Sequence, residues 1–180
     1  SKNAFLLSSP IIVNGKIYSL GSDSKVKSYD LKTKRKLWQK DMSIKKEQKK
    51  EGFGGGISYE KDIIFVTNGF GNVLALDANS GEEIWKINIR IPIRSAPIAF
   101  DNIVYVISHD NQVFALNSLN GEILWNHRGI LESASVLSSN SISIDGGLVF
   151  VPYSSGEIYA IRSLNGSVVW TDSLSRTGSS

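Results

Sequence analysis

The sequence predicts an all-β chain, a β-propeller of four-stranded antiparallel blades held by tryptophan-docking motifs, with four blades present. Two observations predict it. The four tryptophans are spaced 47, 40 and 45 residues apart, and the residue 20 positions before each is aromatic: Tyr18, Phe65, Tyr105 and Phe150. No segment of the 180 residues carries a helical period long enough for a helix-based repeat.

Each repeat is predicted to contain four short strands. The first strand reads SSPIIV, GGGISY, SAPIAF or NSISID, and three further β runs follow it. Gly or Asn lies in the hairpin between the second and third strands, where a positive φ is needed. The repeats place blade 1 at about 8–40, blade 2 at about 54–89, blade 3 at about 95–128 and blade 4 at about 140–174.

The third strands, VLALD, VFALN and IYAIR, are apolar on both faces, so both faces must be covered. Stacked blades provide that cover, and the small Ala at the centre of the strand leaves room for an indole ring of the adjacent strand. Packing is favoured over ligand stacking because every repeat has the tryptophan, whereas a binding residue need occur only once. The predicted structural docking residues are Trp38, Trp85, Trp125, Trp170, Gly81, Gly121, Gly166, Ala75 and Asp77.

Blade 2 contains a complete A-x-D-x-x-[ST]-G-x-x-x-W motif, formed by Ala75, Asp77, Ser80, Gly81 and Trp85. This motif is typical of the PQQ-type propeller repeat, which the chain resembles over nearly its whole length. The stretches FGGGISY, IRSAPIAF and VPYSSGEIYAIRSLNGSVVW are similar to the BamB family of outer-membrane assembly lipoproteins, particularly its α-proteobacterial members.

The other blades retain the motif only in part. Asn117 replaces Asp in blade 3 and can accept the same backbone hydrogen bonds, whereas Arg162 in blade 4 cannot. The fourth turn is therefore expected to be held differently. In blade 1, Lys34 occupies the Gly position.

The resemblance implies a fold and a function. Members of the BamB family form eight blades, so four blades imply half of a ring. If the chain ends at Ser180, two copies are expected to associate to complete the ring, because a half ring exposes two apolar blade faces. The implied function is that of a non-catalytic scaffold on the periplasmic face of the outer membrane, whose partner is the outer-membrane insertase or another protein.

The resemblance also implies a docking loop. BamB-like proteins contact the insertase through a hydrophobic-x-hydrophobic-Arg loop before the Ser-Ala-Pro strand, and the matching residues here are Ile91, Ile93 and Arg94. An exposed apolar pair beside Arg is the composition of an interface anchor. The alternative is that both isoleucines pack beneath the loop.

Two other functions share this repeat type: a PQQ-dependent dehydrogenase fragment and an extracytoplasmic sensor domain. The dehydrogenases have a vicinal disulfide over the quinone, and this chain has no Cys. His109 and His127 lack a second His at metal-ligand spacing. The sequence therefore predicts no enzyme activity, cofactor or metal.

Charge is distributed unevenly. Net charge is +3, with 13 basic and 5 acidic residues in 1–51, giving +8, and the remaining −5 in 52–180. The basic stretch Lys45–Lys50 contains no aromatic residue to stack a base, so it is interpreted as a solvated loop and no nucleic acid partner is expected. No apolar run approaches the length of a membrane span.

Overall fold

The computed structural model describes residues 6–42, 54–93, 95–129 and 141–173, which contain sixteen strands in four separate sheets. Blade 1 consists of β1 Ile11–Val13, β2 Lys16–Leu20, β3 Lys25–Asp30 and β4 Lys36–Asp41. Blade 2 consists of β5 Gly55–Glu60, β6 Ile63–Asn68, β7 Asn72–Asp77 and β8 Glu83–Asn88. Blade 3 consists of β9 Ile98–Phe100, β10 Ile103–Ile107, β11 Gln112–Asn117 and β12 Ile123–Arg128. Blade 4 consists of β13 Ser143–Asp145, β14 Leu148–Pro152, β15 Glu157–Arg162 and β16 Val168–Ser173.

Within each blade the four strands pair antiparallel in chain order, so the predicted all-β chain of four-stranded antiparallel blades is confirmed. The register repeats as well. In blade 2 the aromatic Phe65 is paired with Ala75, and Ala75 is paired with Trp85 on the next strand. A register shift follows the same central residue in every blade: Ser28, Ala75, Ala115 and Ala160.

The antiparallel order gives each blade two different ends. One end carries the hairpin between the first and second strands and the turn between the third and fourth strands; we call it the turn rim. The other end carries the hairpin between the second and third strands and the connector to the next blade; we call it the connector rim. The connectors between described blades span residues 42–54, 89–97 and 129–142.

The core consists of three hydrophobic clusters, each formed between two consecutive blades. Leu20 and Val26 of blade 1 share a cluster with Ile64 and Leu76 of blade 2, and all four are fully buried. The other two clusters join blade 2 to blade 3 and blade 3 to blade 4. Because burying one such side chain contributes about 1.5–3 kcal/mol, contact between blades holds the array together.

Blades 2 and 3 are therefore covered on both faces, as their third strands predict. Each blade has a leading face toward the preceding blade and a trailing face toward the following one. In the described part of the chain, no helix has the length and apolar character of a membrane span.

Candidate protein-binding rim and the docks that support it

Each of the first three repeated tryptophans reaches across to the next blade. Its indole Nε1–H donates a hydrogen bond to a backbone carbonyl just after the third strand of that blade. The pairs are Trp38 to Ala78 at 3.1 Å, Trp85 to Ser118 at 2.8 Å and Trp125 to Ser163 at 2.7 Å. Trp85 and Trp125 are buried, with 7% and 8% exposed. The indoles thus act in packing, and the donor always belongs to the earlier blade.

The ring of each docked tryptophan lies against a glycine of the receiving turn. Gly81, Gly121 and Gly166 have φ of +75°, +75° and +73°. A Cβ added there would lie 2.6 Å, 2.6 Å and 2.8 Å from the nearest ring carbon of Trp38, Trp85 and Trp125 respectively. Such distances are shorter than van der Waals contact allows, so these turns require Gly for both backbone conformation and space.

Trp170 has the same environment within its own blade but no partner among the described blades. Its ring centroid is 6.0 Å from that of Phe150, matching the 5.9–6.0 Å of the other three aromatic pairs. It is nevertheless 42% exposed.

Carboxylate and amide side chains hold the receiving turns. Asp77 Oδ1 accepts hydrogen bonds from the backbone N–H of Ser80 at 2.7 Å and of Asn79 at 2.9 Å. The hydrogen bond from the Ser80 N–H lowers the pKa of Asp77 below its ordinary value. Partial burial acts in the opposite direction, and the hydrogen bond from the Ser80 hydroxyl lowers the pKa further. In blade 4, Arg162 replaces the carboxylate and cannot accept these bonds, so the fourth turn lacks the side-chain acceptor at this position, as expected. The rest of the turn is unchanged: Asn165 Oδ1 accepts from Ser167 N–H at 3.1 Å, as Asn120 Oδ1 does from Glu122 N–H at 2.9 Å in blade 3.

The structure places this loop on the connector rim and, of the two alternatives that the sequence leaves open, agrees with packing of the isoleucines beneath the loop. Ile93 is fully buried, with 0% exposed, and forms an antiparallel bridge with Ser108. Ile91 is partly buried against the cluster between blades 2 and 3. Pro92 is exposed, and Arg94 lies outside the described residues.

Backbone contacts with both neighbouring blades hold this loop. Ile89 N–H donates to Gly71 C=O at 2.9 Å, and His109 N–H donates to Pro92 C=O at 2.8 Å. Gly71 has φ +78°, and a Cβ there would lie 2.6 Å from the Ile91 carbonyl oxygen. The isoleucines therefore attach the loop to blades 2 and 3 by packing against the cluster between them. Periodicity could not reveal this, because the contacts come from residues distant in sequence.

Polar networks beside the loop were not singled out by the sequence. On blade 3, Ser108 and Gln112 donate hydrogen bonds to Asp110, and Arg128 forms an ion pair with it at 2.9 Å. Burial acts to raise the pKa of Asp110, but these hydrogen bonds and the Arg128 charge outweigh it, so the pKa lies below its ordinary value. The only signal in the sequence was polar residues at the ends of apolar strands.

An aromatic cluster on the same rim joins blades 3 and 4. His127 Nδ1 lies 2.8 Å from the Tyr153 hydroxyl oxygen, and the Tyr159 ring centroid is 4.8 Å from that of His127. Burial lowers the pKa of His127 and raises that of Tyr153. No group of three or more His, Cys, Asp or Glu within the described ranges is arranged to hold a metal ion. His109 is exposed, and Lys45–Lys50 lie outside the described residues.

Comparison with known proteins relates these features to a family. The sequence profile of a family described as outer membrane protein assembly factor BamB matches residues 22–180. BamB of Nitrosomonas eutropha is 28% identical over 153 residues, which cover 85% of this chain and 35% of that protein. The first relatives in the comparison are likewise spanned over only about a third of their length.

Solved structures support the fold. The crystal structure of BamB from Moraxella catarrhalis has a TM-score of 0.78 at 19% identity, covering 95% of this chain and 51% of that one. Quinohemoprotein alcohol dehydrogenase from Comamonas testosteroni has a TM-score of 0.76 at 18% identity, covering 94% and 35%. The four blades are thus a partial propeller of this type. Together with the family match, they show that the chain belongs to the BamB outer-membrane protein assembly factor family.

Proposed function

We propose that this chain is part of a non-catalytic, protein-binding scaffold of the machinery that assembles β-barrel proteins in the outer membrane, acting on its periplasmic face. The observation that carries the proposal is the family match over residues 22–180. The tryptophan contacts between consecutive blades also support it. Blades held together in this way keep the connector rim in a fixed arrangement, so little conformational entropy is lost when a partner binds. The perturbed groups Asp77, Asp110 and His127 are engaged in turns and blade contacts.

The proposed docking element is the connector 89–97, and its partner is the outer-membrane insertase. Ile91 and Ile93 fix the loop to the blades, Pro92 is exposed, and Arg94 follows Pro92 two positions later in the sequence. Arginine is enriched at protein–protein interfaces and among the residues that contribute most to binding. Contact with the insertase is therefore assigned to Pro92 and Arg94, and the isoleucines are given a positioning role.

Co-purification from native membranes tests both the function and the site. The full-length natural protein is tagged, and Arg94→Glu is compared with Arg35→Glu, a matched charge reversal at an exposed position of the turn rim. We expect Arg94→Glu to reduce co-purified insertase by at least about tenfold, and Arg35→Glu to leave it unchanged. If Arg94→Glu co-purifies as much insertase as the unsubstituted protein does, the proposed docking site is wrong. If the unsubstituted protein recovers no insertase, the proposed function itself fails.

A second candidate is a PQQ-dependent dehydrogenase fragment, which the fold similarity to quinohemoprotein alcohol dehydrogenase favours. The two candidates are separated by titrating the chain with PQQ and Ca²⁺ and following quinone absorbance and indole fluorescence. The scaffold proposal expects no saturable change. A saturable, calcium-dependent change would favour the dehydrogenase.

A further inference from the structure

Blade 1 differs from the other blades in charge. Its described residues, 6–42, contain eight Lys or Arg and three Asp, which give a net charge of +5. The described residues of blades 2, 3 and 4 each have a net charge of −2. Because salt screens exposed charges over about 8 Å at physiological ionic strength, this excess can act on a partner only where the cations are clustered.

The cations of blade 1 are concentrated in the turn between β3 and β4, on the turn rim. We call residues 30–37 the basic turn. It contains Lys32, Lys34, Arg35 and Lys36 and one carboxylate, that of Asp30, so its net charge is +3. Within the blade β4 pairs only with β3, so this turn lies at the outer edge of the sheet.

Other cations of blade 1 have carboxylate partners, and those of the basic turn do not. Lys25 and Lys27 lie 3.7 Å and 3.6 Å from Asp23 Oδ2, and Lys40 lies 3.3 Å from Glu83. Among the residues that the structure describes, no carboxylate forms an ion pair with a cation of the basic turn. These cations therefore need not give up an ion pair to bind an anion.

The one carboxylate of the basic turn is engaged with the backbone. Asp30 Oδ1 accepts hydrogen bonds from the Thr33 N–H at 2.5 Å and from the Thr33 hydroxyl at 2.7 Å. The bond from the N–H and the bond from the hydroxyl lower the pKa of Asp30. Lys34 has φ +60° at the position where the other three blades have Gly, so a fourth cation is present in a conformation unfavourable for a side chain.

The exposure of the basic turn is a property of the turn itself. Lys32, Arg35 and Lys36 are exposed, and Leu37 is 46% exposed. Blades 2 and 3 are covered on both faces, yet the positions equivalent to the three cations are exposed there too: Asn79, Glu82 and Glu83 in blade 2, and Leu119, Glu122 and Ile123 in blade 3. The three cations therefore do not owe their exposure to an uncovered blade face.

The residue types of the basic turn indicate the chemistry of its partner. Three of its four cations are lysines, and Lys is depleted at protein–protein interfaces. Residues 30–37 include no aromatic side chain on which a nucleic acid base could stack. Lysine and arginine beside an exposed leucine are typical of protein surfaces that bind anionic membranes, where lysine stems lie along apolar surface and the ammonium groups contact headgroups.

We propose that the basic turn binds an anionic membrane surface, with its cations on the phosphates of lipid headgroups and Leu37 at the boundary of the acyl region. Glutamates occupy equivalent positions in the next two blades, as Glu82 and Glu83 in blade 2 and Glu122 in blade 3, and an anionic surface repels them. Contact is therefore confined to the edge of blade 1, and the connector rim stays free. The proposal goes beyond the proposed function and does not depend on the insertase.

Co-sedimentation with lipid vesicles tests this proposal. The full-length natural protein, purified in soluble form, is mixed with vesicles of phosphatidylcholine alone or of phosphatidylcholine with phosphatidylglycerol, at low and at high salt. The turn variant carries Arg35→Glu and Lys36→Glu, which give blade 1 the residues of blade 2 at these positions. The matched control carries Arg90→Glu and Arg162→Glu, an equal change in net charge at two exposed positions outside the basic turn. Circular dichroism confirms that each variant is folded.

We expect the unsubstituted protein to bind only vesicles with phosphatidylglycerol, and high salt to release it. One cation near an anionic surface strengthens binding about fivefold, so the turn variant should bind at least about tenfold more weakly, and the control less than about threefold more weakly. If the turn variant does not fold, Arg35→Gln with Lys36→Gln serves in its place. Equal weakening by the two pairs of substitutions overturns the proposal. So does an unsubstituted protein that binds polyglutamate but no vesicles, because the turn would then bind acidic protein.

Discussion

Removing a docked indole should destabilise the chain more than removing the undocked one. An indole side chain has about 200 Å² of surface, and burial contributes about 25 cal/mol per Å². Trp85 is 7% exposed, so Trp85→Ala loses about 4.5 kcal/mol of burial, and the lost hydrogen bond to Ser118 adds about 1 kcal/mol. Trp170 is 42% exposed, so Trp170→Ala loses about 3 kcal/mol. The expected difference in the free energy of unfolding is about 2–3 kcal/mol.

Urea unfolding followed by far-ultraviolet circular dichroism measures this difference. Trp85→Phe is the matched control, since it keeps most of the ring contact with Phe65 and loses the hydrogen bond, at a cost of about 1–2 kcal/mol. Equal losses for Trp85→Ala and Trp170→Ala would refute the reasoning, because the contact with the next blade would then contribute nothing.

Two further predictions concern a turn and a titration. Gly121→Ala should lower the free energy of unfolding by several kcal/mol more than Gly147→Ala does, as measured by thermal or urea unfolding. Both glycines have positive φ, but only the Cβ added at Gly121 would contact Trp85. Equal losses would show that backbone strain alone selects glycine. Because burial lowers the pKa of His127 below 6.5, the unfolded chain binds the proton more readily, so stability should fall as pH drops from about 6.5 through the lowered folded pKa and then level off. Nuclear magnetic resonance titration of His127 and urea midpoints against pH check this, and His127→Gln should flatten the profile in that window.

Local repetition explains what could be predicted at the level of the fold. The spacing of the tryptophans and the glycines of the receiving turns predicted four-stranded blades, and the structure contains them with one common register. These features are local: each hairpin and turn is determined by residues within a few positions of one another. The loss of the side-chain acceptor at Arg162 could also be predicted, because the carboxylate it replaces acts on backbone groups two or three residues away.

The candidate site was predicted less well. Sequence identified the loop containing Ile91 and Ile93 but left open whether the two isoleucines are exposed or pack beneath the loop. The burial of Ile93 arises from its pairing with Ser108 and from the close approach of the loop to Gly71. The identity of an apolar loop residue does not show whether it faces water or a neighbouring blade, so no sequence pattern could have distinguished exposure from burial.

The sequence by itself determined the number of blades, the register of their strands and which residues dock, because a repeated unit must bury the same face each time. Only the tertiary structure decided which face each side chain occupies. Pro92 and Ile93 are neighbours in one loop, but the folded blades leave Pro92 exposed and bury Ile93 completely. The physical reason is that the burial of a side chain depends on the surface packed against it, and that surface is assembled from strands distant in sequence.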